Sequence, residues 1–142
     1  MKARIGKYYR SKFNHYVAKV IDVNMRTITM ETINANVIET IARENFDENW
    51  IPCTTIYDFR NTIRECFARE DDYETTITLM GDTIRVDIDD EIITFSIDHN
   101  DMLKVYCTDE VRDALSLEYN ITRFLLEDTF DVINVIASLF KD

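Results

Sequence analysis

The chain has 142 residues, of which 46% are hydrophobic and 30% are charged, and its formal net charge is −11 at pH 7. This length fits one domain with a sizeable core, and the many aromatic and isoleucine residues argue against global disorder. No apolar run reaches the roughly 18 residues of a membrane span, and no apolar signal-peptide core follows Met1, so we expect a cytoplasmic protein.

Residues 6–17, GKYYRSKFNHYV, combine cations and aromatic rings at the start of an acidic chain. We identify them as a candidate partner-binding segment through Lys7, Tyr8, Tyr9, Arg10 and Lys12. Three interpretations stay open at this point. The segment is the basic outer face of an ordinary first element, a contact surface for another protein, or a grip on single-stranded nucleic acid.

The first half of the chain predicts two strands and two helices. Residues 13–33 are rich in Val, Ile, Thr and Tyr and indicate a hairpin that turns near Val23-Asn24. Residues 34–45 place apolar side chains at helical spacing, which predicts a helix. Residues 54–71 predict a second helix, because an apolar stripe follows a capping box formed by Thr55 and Asp58.

The second half predicts four strands and then two helices. Residues 74–107 alternate apolar and polar side chains with short polar turns between the runs, which is typical of an antiparallel meander. Residues 109–120 predict a helix capped by Thr108, and residues 121–140 a further helix that can break near Asp128-Thr129. The order predicts a single α+β domain over residues 1–142, with an antiparallel sheet (the N-terminal hairpin plus a four-strand meander) packed with about four helices.

A row of carboxylates follows two of the predicted strands. Its candidate partner-binding residues are Asp87, Asp89, Asp90, Glu91, Asp98 and Asp101. The segment VDIDDEI lacks the glycine and the terminal glutamate of a calcium loop, so we exclude that site. We weigh two interpretations of the row: a solvated sheet face, or a surface whose carboxylates resemble phosphates to a basic partner.

Catalytic, cofactor and metal motifs do not stand out. His15 and His99 have no local partner pattern for a triad or a metal site, and two glycines cannot form a phosphate loop. Ligation of a divalent ion by the Asp98–Asp101 turn is a minor alternative. Cys53, Cys66 and Cys107 form no CxxC pair, which indicates buried free thiols. We therefore expect neither an enzyme nor a bound cofactor or metal.

Charge is distributed unevenly along the chain. Residues 1–30 contain seven basic and one acidic residue, whereas residues 31–142 contain nine basic and 26 acidic ones. Such an acidic body repels duplex phosphates and attracts basic surfaces. The two charge signs, together with an apolar final helix around Ile136, favour a homodimer over a monomer.

In size, acidity and Gly-poor composition the chain is similar to phage-borne inhibitors of host defence, namely anti-restriction and anti-CRISPR proteins, and to toxin-immunity proteins. The resemblance covers the whole chain and transfers no site. We predict an acidic inhibitor of the phage anti-defence type that acts as a nucleic-acid mimic. It would occlude the basic site of a nucleic-acid-binding protein or nuclease. The alternatives are a toxin-immunity protein, and a small enzyme or nucleotide-signal binder that uses the N-terminal basic segment.

Overall fold

The computed structural model describes residues 3–14, 16–32, 37–68 and 75–141. The chain divides into two compact units, which we call unit 1 (Met1–Cys53) and unit 2 (Thr54–Asp142). Each unit contains one five-stranded antiparallel sheet, and four α-helices occur in the described part of the chain. The predicted α+β class is confirmed. The prediction of a single domain over the whole chain stays a prediction.

Unit 1 consists of one sheet and one helix. Its elements are β1 (Tyr8–Ser11), β2 (Val17–Val23), β3 (Thr27–Thr32), β4 (Val37–Ala42), α1 (Arg43–Asn49) and β5 (Trp50–Pro52). The strands lie in the order β4-β3-β2-β1-β5, with every neighbouring pair antiparallel. The predicted hairpin is confirmed as β2 and β3, with Asn24 Oδ1 accepting the Arg26 and Thr27 N–H groups in the turn at 3.0 and 2.9 Å.

The core of unit 1 follows from strand alternation. Its buried members are Tyr9, Ala18, Val20, Ile28, Met30 and Phe46. The side chains of a strand point alternately to the two sheet faces, so one face of β2 and β3 becomes apolar. Phe46 of α1 packs on this face with its ring centroid 4.9 Å from that of Tyr9.

The helix predicted over residues 34–45 is wrong. Within it, residues 37–42 form β4, which pairs with β3 in a register that sets Ile41 opposite Ile28, and the helix begins only at Arg43. Residues 34–36 lie outside the described residues. The run VIETIA is rich in β-branched side chains, which are stiff in a helix and pack well on a pleated sheet. Residues 37–42 therefore pair with the backbone N–H and C=O groups at the edge of β3 and form the strand β4.

Unit 2 contains the predicted meander. Its elements are α2 (Arg60–Cys66), β6 (Thr76–Met80), β7 (Thr83–Ile88), β8 (Glu91–Ile97), β9 (Met102–Cys107), α3 (Asp109–Ala114), β10 (Ile121–Leu125) and α4 (Thr129–Ser138). The strand order is β10-β9-β8-β7-β6, all antiparallel. The capping box predicted at Thr55 and Asp58 is present, but it opens a 3₁₀ turn (Ile56–Phe59) that leads into α2.

The core of unit 2 combines one sheet face with the helical stripes. Its largest fully buried side chains are Phe59, Ile63, Phe67, Ile84, Ile88, Ile93, Phe95, Leu103 and Ile133. Cys66 and Cys107 are buried free thiols here, as Cys53 is in unit 1, which confirms that prediction. Burial raises the pKa of the Cys66 thiol to about 11.

The predicted helix over residues 121–140 is wrong in its first half. Residues 121–125 form the edge strand β10 beside β9, and the helix α4 begins at the anticipated break, Thr129. The helix after Thr108 is shorter than predicted, since it ends at Ala114 and Ser116 takes a φ of +58°. Ile136 is 2% exposed and belongs to the core, although it also lines a groove along α4. None of the helices in the described ranges is long and apolar enough to cross a membrane.

Candidate functional site

The predicted acidic row begins with an ion pair. Asp87 lies on the outward face of β7 and accepts two hydrogen bonds from Arg85, from Nε and Nη2, each 2.9 Å long. The hydrogen bonding to Asp87, together with the attraction between the two charges, holds the pKa of Arg85 above its usual value. The charge of Asp87 is therefore largely compensated, and this residue adds little to a negative surface.

The next two members of the row, Asp89 and Asp90, make the turn between β7 and β8. Asp89 and Asp90 have φ of 52° and 65°, so both are left-handed, as a two-residue type I′ hairpin requires. Aspartate tolerates this conformation better than most residues. Glu91 then begins β8. The turn carries the Asp89 and Asp90 carboxylates at one end of the sheet.

The start of α3 lies at the same end of the sheet. Thr108 occupies the cap position, but its side chain does not cap the helix. Instead its Oγ1 accepts the N–H of Ile92 at 3.3 Å, and its own N–H donates to the Ile92 carbonyl at 3.2 Å. These two bonds fasten α3 to the beginning of β8. They bring Asp109 and Glu110 next to Glu91.

These residues surround a cavity of about 350 Å³, which we call the acidic pocket. It is lined by Glu91, Tyr106, Thr108, Asp109 and Glu110. Oε1 of Glu91 is buried and has no hydrogen-bond partner among the described residues. A buried carboxylate oxygen without a partner costs free energy, so this atom favours a donor that enters the pocket.

Part of the pocket wall is braced by a polar network. Asn120 Nδ2 donates to Asp109 Oδ1 at 2.8 Å and to the Cys107 carbonyl at 2.9 Å. Arg112 Nη1 donates to Asn120 Oδ1 at 2.9 Å and lies 3.4 Å from Asp109. Asp109 is thus fixed and partly neutralised. Glu91 and Glu110 supply the charge that is left for a ligand.

The pocket has the composition of a receptor for a cationic side chain. Carboxylates form short charge-assisted hydrogen bonds to guanidinium and ammonium groups, and a tyrosine ring attracts a cation over its face. Tyr106 is 39% exposed and provides such a ring. No group of three or more His, Cys, Asp or Glu side chains in the described ranges is arranged to hold a metal ion. Such a pocket can accommodate a guanidinium or ammonium group.

Asp98 and Asp101 lie at the opposite end of β8, away from the acidic pocket. Asp98 Oδ1 accepts the N–H groups of Asn100 and Met102 at 2.9 and 3.2 Å, and Arg123 Nε lies 3.0 Å from Oδ2. The Asp98 side chain is only 9% exposed. It builds the β8–β9 turn, and the structure does not join it to Glu91 in one surface.

Acid should remove the contribution of Asp98 to stability. Desolvation is the largest influence and acts to raise its pKa, but the Met102 and Asn100 N–H groups and the Arg123 charge together hold that pKa below its usual value. A depressed pKa stabilises the fold above the unfolded-state pKa, and this stabilisation is lost as the pH falls through the folded-state pKa. In urea unfolding, Asp98→Asn should therefore lower stability at pH 7, and its difference from the parent should shrink below about pH 4. The exposed Asp101→Asn variant is the control, and its free energy of unfolding should change with pH as that of the parent does. A loss of stability in Asp98→Asn that stays constant as the pH falls would contradict the prediction.

The N-terminal candidate residues divide between core and surface. Tyr8 and Tyr9 are 5% and 3% exposed, so their rings are structural members of β1. The Tyr9 hydroxyl accepts the Arg4 N–H at 3.1 Å, and Lys19 Nζ lies 5.7 Å from the Tyr8 ring centroid. Lys7 and Lys12 are exposed. The segment cannot stack bases on Tyr8 and Tyr9 without unfolding β1.

The remaining candidates are Arg10 and the two histidines. Arg10 is half-buried and lies on β1 opposite Val17. His15 lies outside the described residues, and His99 is exposed in the β8–β9 turn. Asp109, Glu110 and Tyr106 were not among the predicted site residues. They are distant from Glu91 in sequence, and only the pairing of β8 with β9 brings them to one pocket. No family model matches the chain, and comparison with curated proteins and with solved structures likewise finds no match.

Proposed function

We propose that this protein is a non-enzymatic binding protein whose acidic surface occludes the basic site of a nucleic-acid-acting protein. The observation that supports this function is the acidic pocket, where Glu91 and Glu110 stand beside Tyr106 and one carboxylate oxygen is buried without a partner. Unit 2 adds a wide negative field, since residues 54–142 contain 21 acidic and eight basic side chains.

An arginine or lysine of the partner would enter the acidic pocket. Its cationic head would pair with Glu91 and Glu110, and its stem would lie against the Tyr106 ring. The field of unit 2 would speed the encounter, because complementary charge raises association rates most strongly at low salt. A surface that binds such a residue competes with the phosphate that the same residue binds on DNA or RNA.

The biological setting is a further part of the proposal. An inhibitor of the phage anti-defence type and a toxin-immunity protein would both use this chemistry, and they differ in the partner they block. A cytoplasmic location and a homodimer remain predictions.

Neutralising the acidic pocket should abolish most of the binding. The variant Asp90→Asn/Glu91→Gln/Glu110→Gln keeps side-chain size and removes the two pocket charges of Glu91 and Glu110 together with that of Asp90 in the adjoining turn. We expect its affinity for the captured partner to fall roughly a hundredfold, since charge-assisted hydrogen bonds contribute about 1.5–3 kcal/mol each. Affinity capture from extract of the expressing cells, followed by titration at several salt concentrations, measures this loss and a flatter salt dependence.

The matched control is Glu44→Gln/Asp47→Asn/Glu48→Gln, which removes three exposed charges from α1. It has the same net charge as the pocket variant and should bind like the parent.

The captured protein should also be released by added DNA or RNA. Equal weakening by both variants would show that only net charge matters. A rise in the melting temperature with a nucleotide, and none with a basic partner, would favour the nucleotide-binding alternative.

A further inference from the structure

The turn between β1 and β2 exposes two aromatic rings beside a cation. Phe13 is 77% exposed and Tyr16 is 55% exposed, and Lys12 lies next to them on the surface. We call Lys12, Phe13, Asn14 and Tyr16 the hairpin tip. Large rings in water are unfavourable unless another surface covers them, so the hairpin tip has the character of an unoccupied contact.

Hydrogen bonds restrain the described residues of the hairpin tip. The Ser11 N–H donates to the Tyr16 carbonyl at 2.9 Å, which closes the hairpin. The Phe13 N–H donates to Ser11 Oγ at 3.2 Å, and the Tyr16 N–H donates to Asn14 Oδ1 at 3.1 Å. The Lys12 N–H donates to the Asn49 carbonyl at 2.9 Å. These hydrogen bonds reduce the conformational entropy that the described residues of the tip would lose on binding.

Unit 2 carries an apolar groove of about 330 Å³ along α4. Its floor and walls are aliphatic and aromatic side chains that include Leu117, Phe124 and Val135, and its polar members are Asp128 and Asp131. Val135 is 52% exposed although it follows the apolar pattern of the helix. We call this surface the α4 groove. It has room for an aromatic ring and a negative rim for a cation.

The hairpin tip and the α4 groove are complementary in polarity and in charge. Rings meet an apolar groove, and the cation Lys12 meets Asp128 and Asp131. We propose that the α4 groove binds the hairpin tip of a second copy of this chain. Phe13 fills the groove, Lys12 pairs with the carboxylates of the rim, and two copies exchange tips to form a dimer.

This inference does not depend on the proposed function, because the acidic pocket and the α4 groove share no residue. It also refines the interface that the sequence suggested, because the α4 groove belongs to the same final helix and Ile136 is among its lining residues. Ile136 is buried in the core, whereas Val135 is the exposed apolar residue of the same helix. The negative residues of the rim, Asp128 and Asp131, lie outside the acidic pocket.

Two exposed substitutions test the contact. Phe13→Asp places a negative charge in the hairpin tip, and Val135→Asp places one in the α4 groove. Light scattering over a wide range of concentration should find the parent dimeric and each variant monomeric, with dissociation at least about tenfold easier. Met25→Asp is the control, because Met25 is 91% exposed on unit 1 outside the hairpin tip and should leave the dimer intact.

A mixture of the two variants separates this contact from others. The tip of Val135→Asp and the groove of Phe13→Asp are both unaltered, so the mixture should form a heterodimer through one intact contact. Circular dichroism checks that each variant is folded. A parent that is monomeric at every concentration, a Phe13→Asp variant that stays dimeric, or a mixture that stays monomeric would each overturn the proposal.

Discussion

Replacing Phe46 with alanine should lower the free energy of unfolding of unit 1 by about 3–5 kcal/mol. Phe46 is fully buried, edge-on to Tyr9, and parallel to the Trp50 ring at a centroid distance of 6.4 Å. A core of this size rarely supplies more than about 3–5 kcal/mol, so the substitution should remove most of the stability of the unit.

Trp50 reports this loss directly, because it is the only tryptophan in the chain and belongs to the same cluster. The emission of Phe46→Ala should be close to that of the denatured chain before urea is added. Met25→Ala also shortens a large apolar side chain of unit 1, but Met25 is exposed. The free energy of unfolding of this variant, obtained from its urea midpoint, should therefore differ from that of the parent by less than about 0.5 kcal/mol. Equal midpoints for the two variants would contradict the packing described here.

Replacing Phe95 with alanine should have a comparable effect on unit 2. Phe95 is fully buried on β8, the middle strand of the sheet, between Ile84 and Val105 on the neighbouring strands. Its ring centroid is 6.2 Å from that of Phe67. Loss of the ring leaves a cavity on the buried face of the sheet, between Ile84 and Val105. We expect this cavity to lower the free energy of unfolding by about 3–5 kcal/mol.

Thiol labelling measures this opening, because the buried Cys66 and Cys107 react only when unit 2 exposes them. In a Cys53→Ser background, labelling of Phe95→Ala should be about a hundredfold to a thousandfold faster, since each 1.4 kcal/mol changes the open population tenfold. Leu79→Ala on the edge strand β6, where Leu79 is 49% exposed, should label nearly as slowly as the parent. Similar rates for the two variants would show that Phe95 does not hold the sheet together.

Elements with a clear local pattern were predictable from the sequence. The alternation in residues 83–97 gives each strand one apolar face, and the short polar gap between the two runs allows the strands to pair as a hairpin. The capping box at Thr55 and Asp58 is also local, because its hydrogen bonds join residues within one turn.

Two segments misled the sequence analysis for one reason. Residues 37–42 and 121–125 are short apolar runs whose spacing fits a helix and a strand alike. The neighbouring strands decided which of the two structures each run adopts. The edges of β3 and β9 carry unpaired N–H and C=O groups, and pairing with them satisfied the backbone of both runs.

The candidate site shows the same division. The sequence by itself determined the negative charge of the body and the α+β class, because these depend on composition and on contacts between near neighbours. Only the tertiary structure decided that Glu91 shares a pocket with Asp109 and Glu110. It also decided that the Asp98 carboxylate accepts hydrogen bonds within the β8–β9 turn, and that Tyr8 and Tyr9 lie in the core. The physical reason is that burial and strand pairing join residues far apart in the chain, and no local pattern records which distant carboxylate will end up beside another.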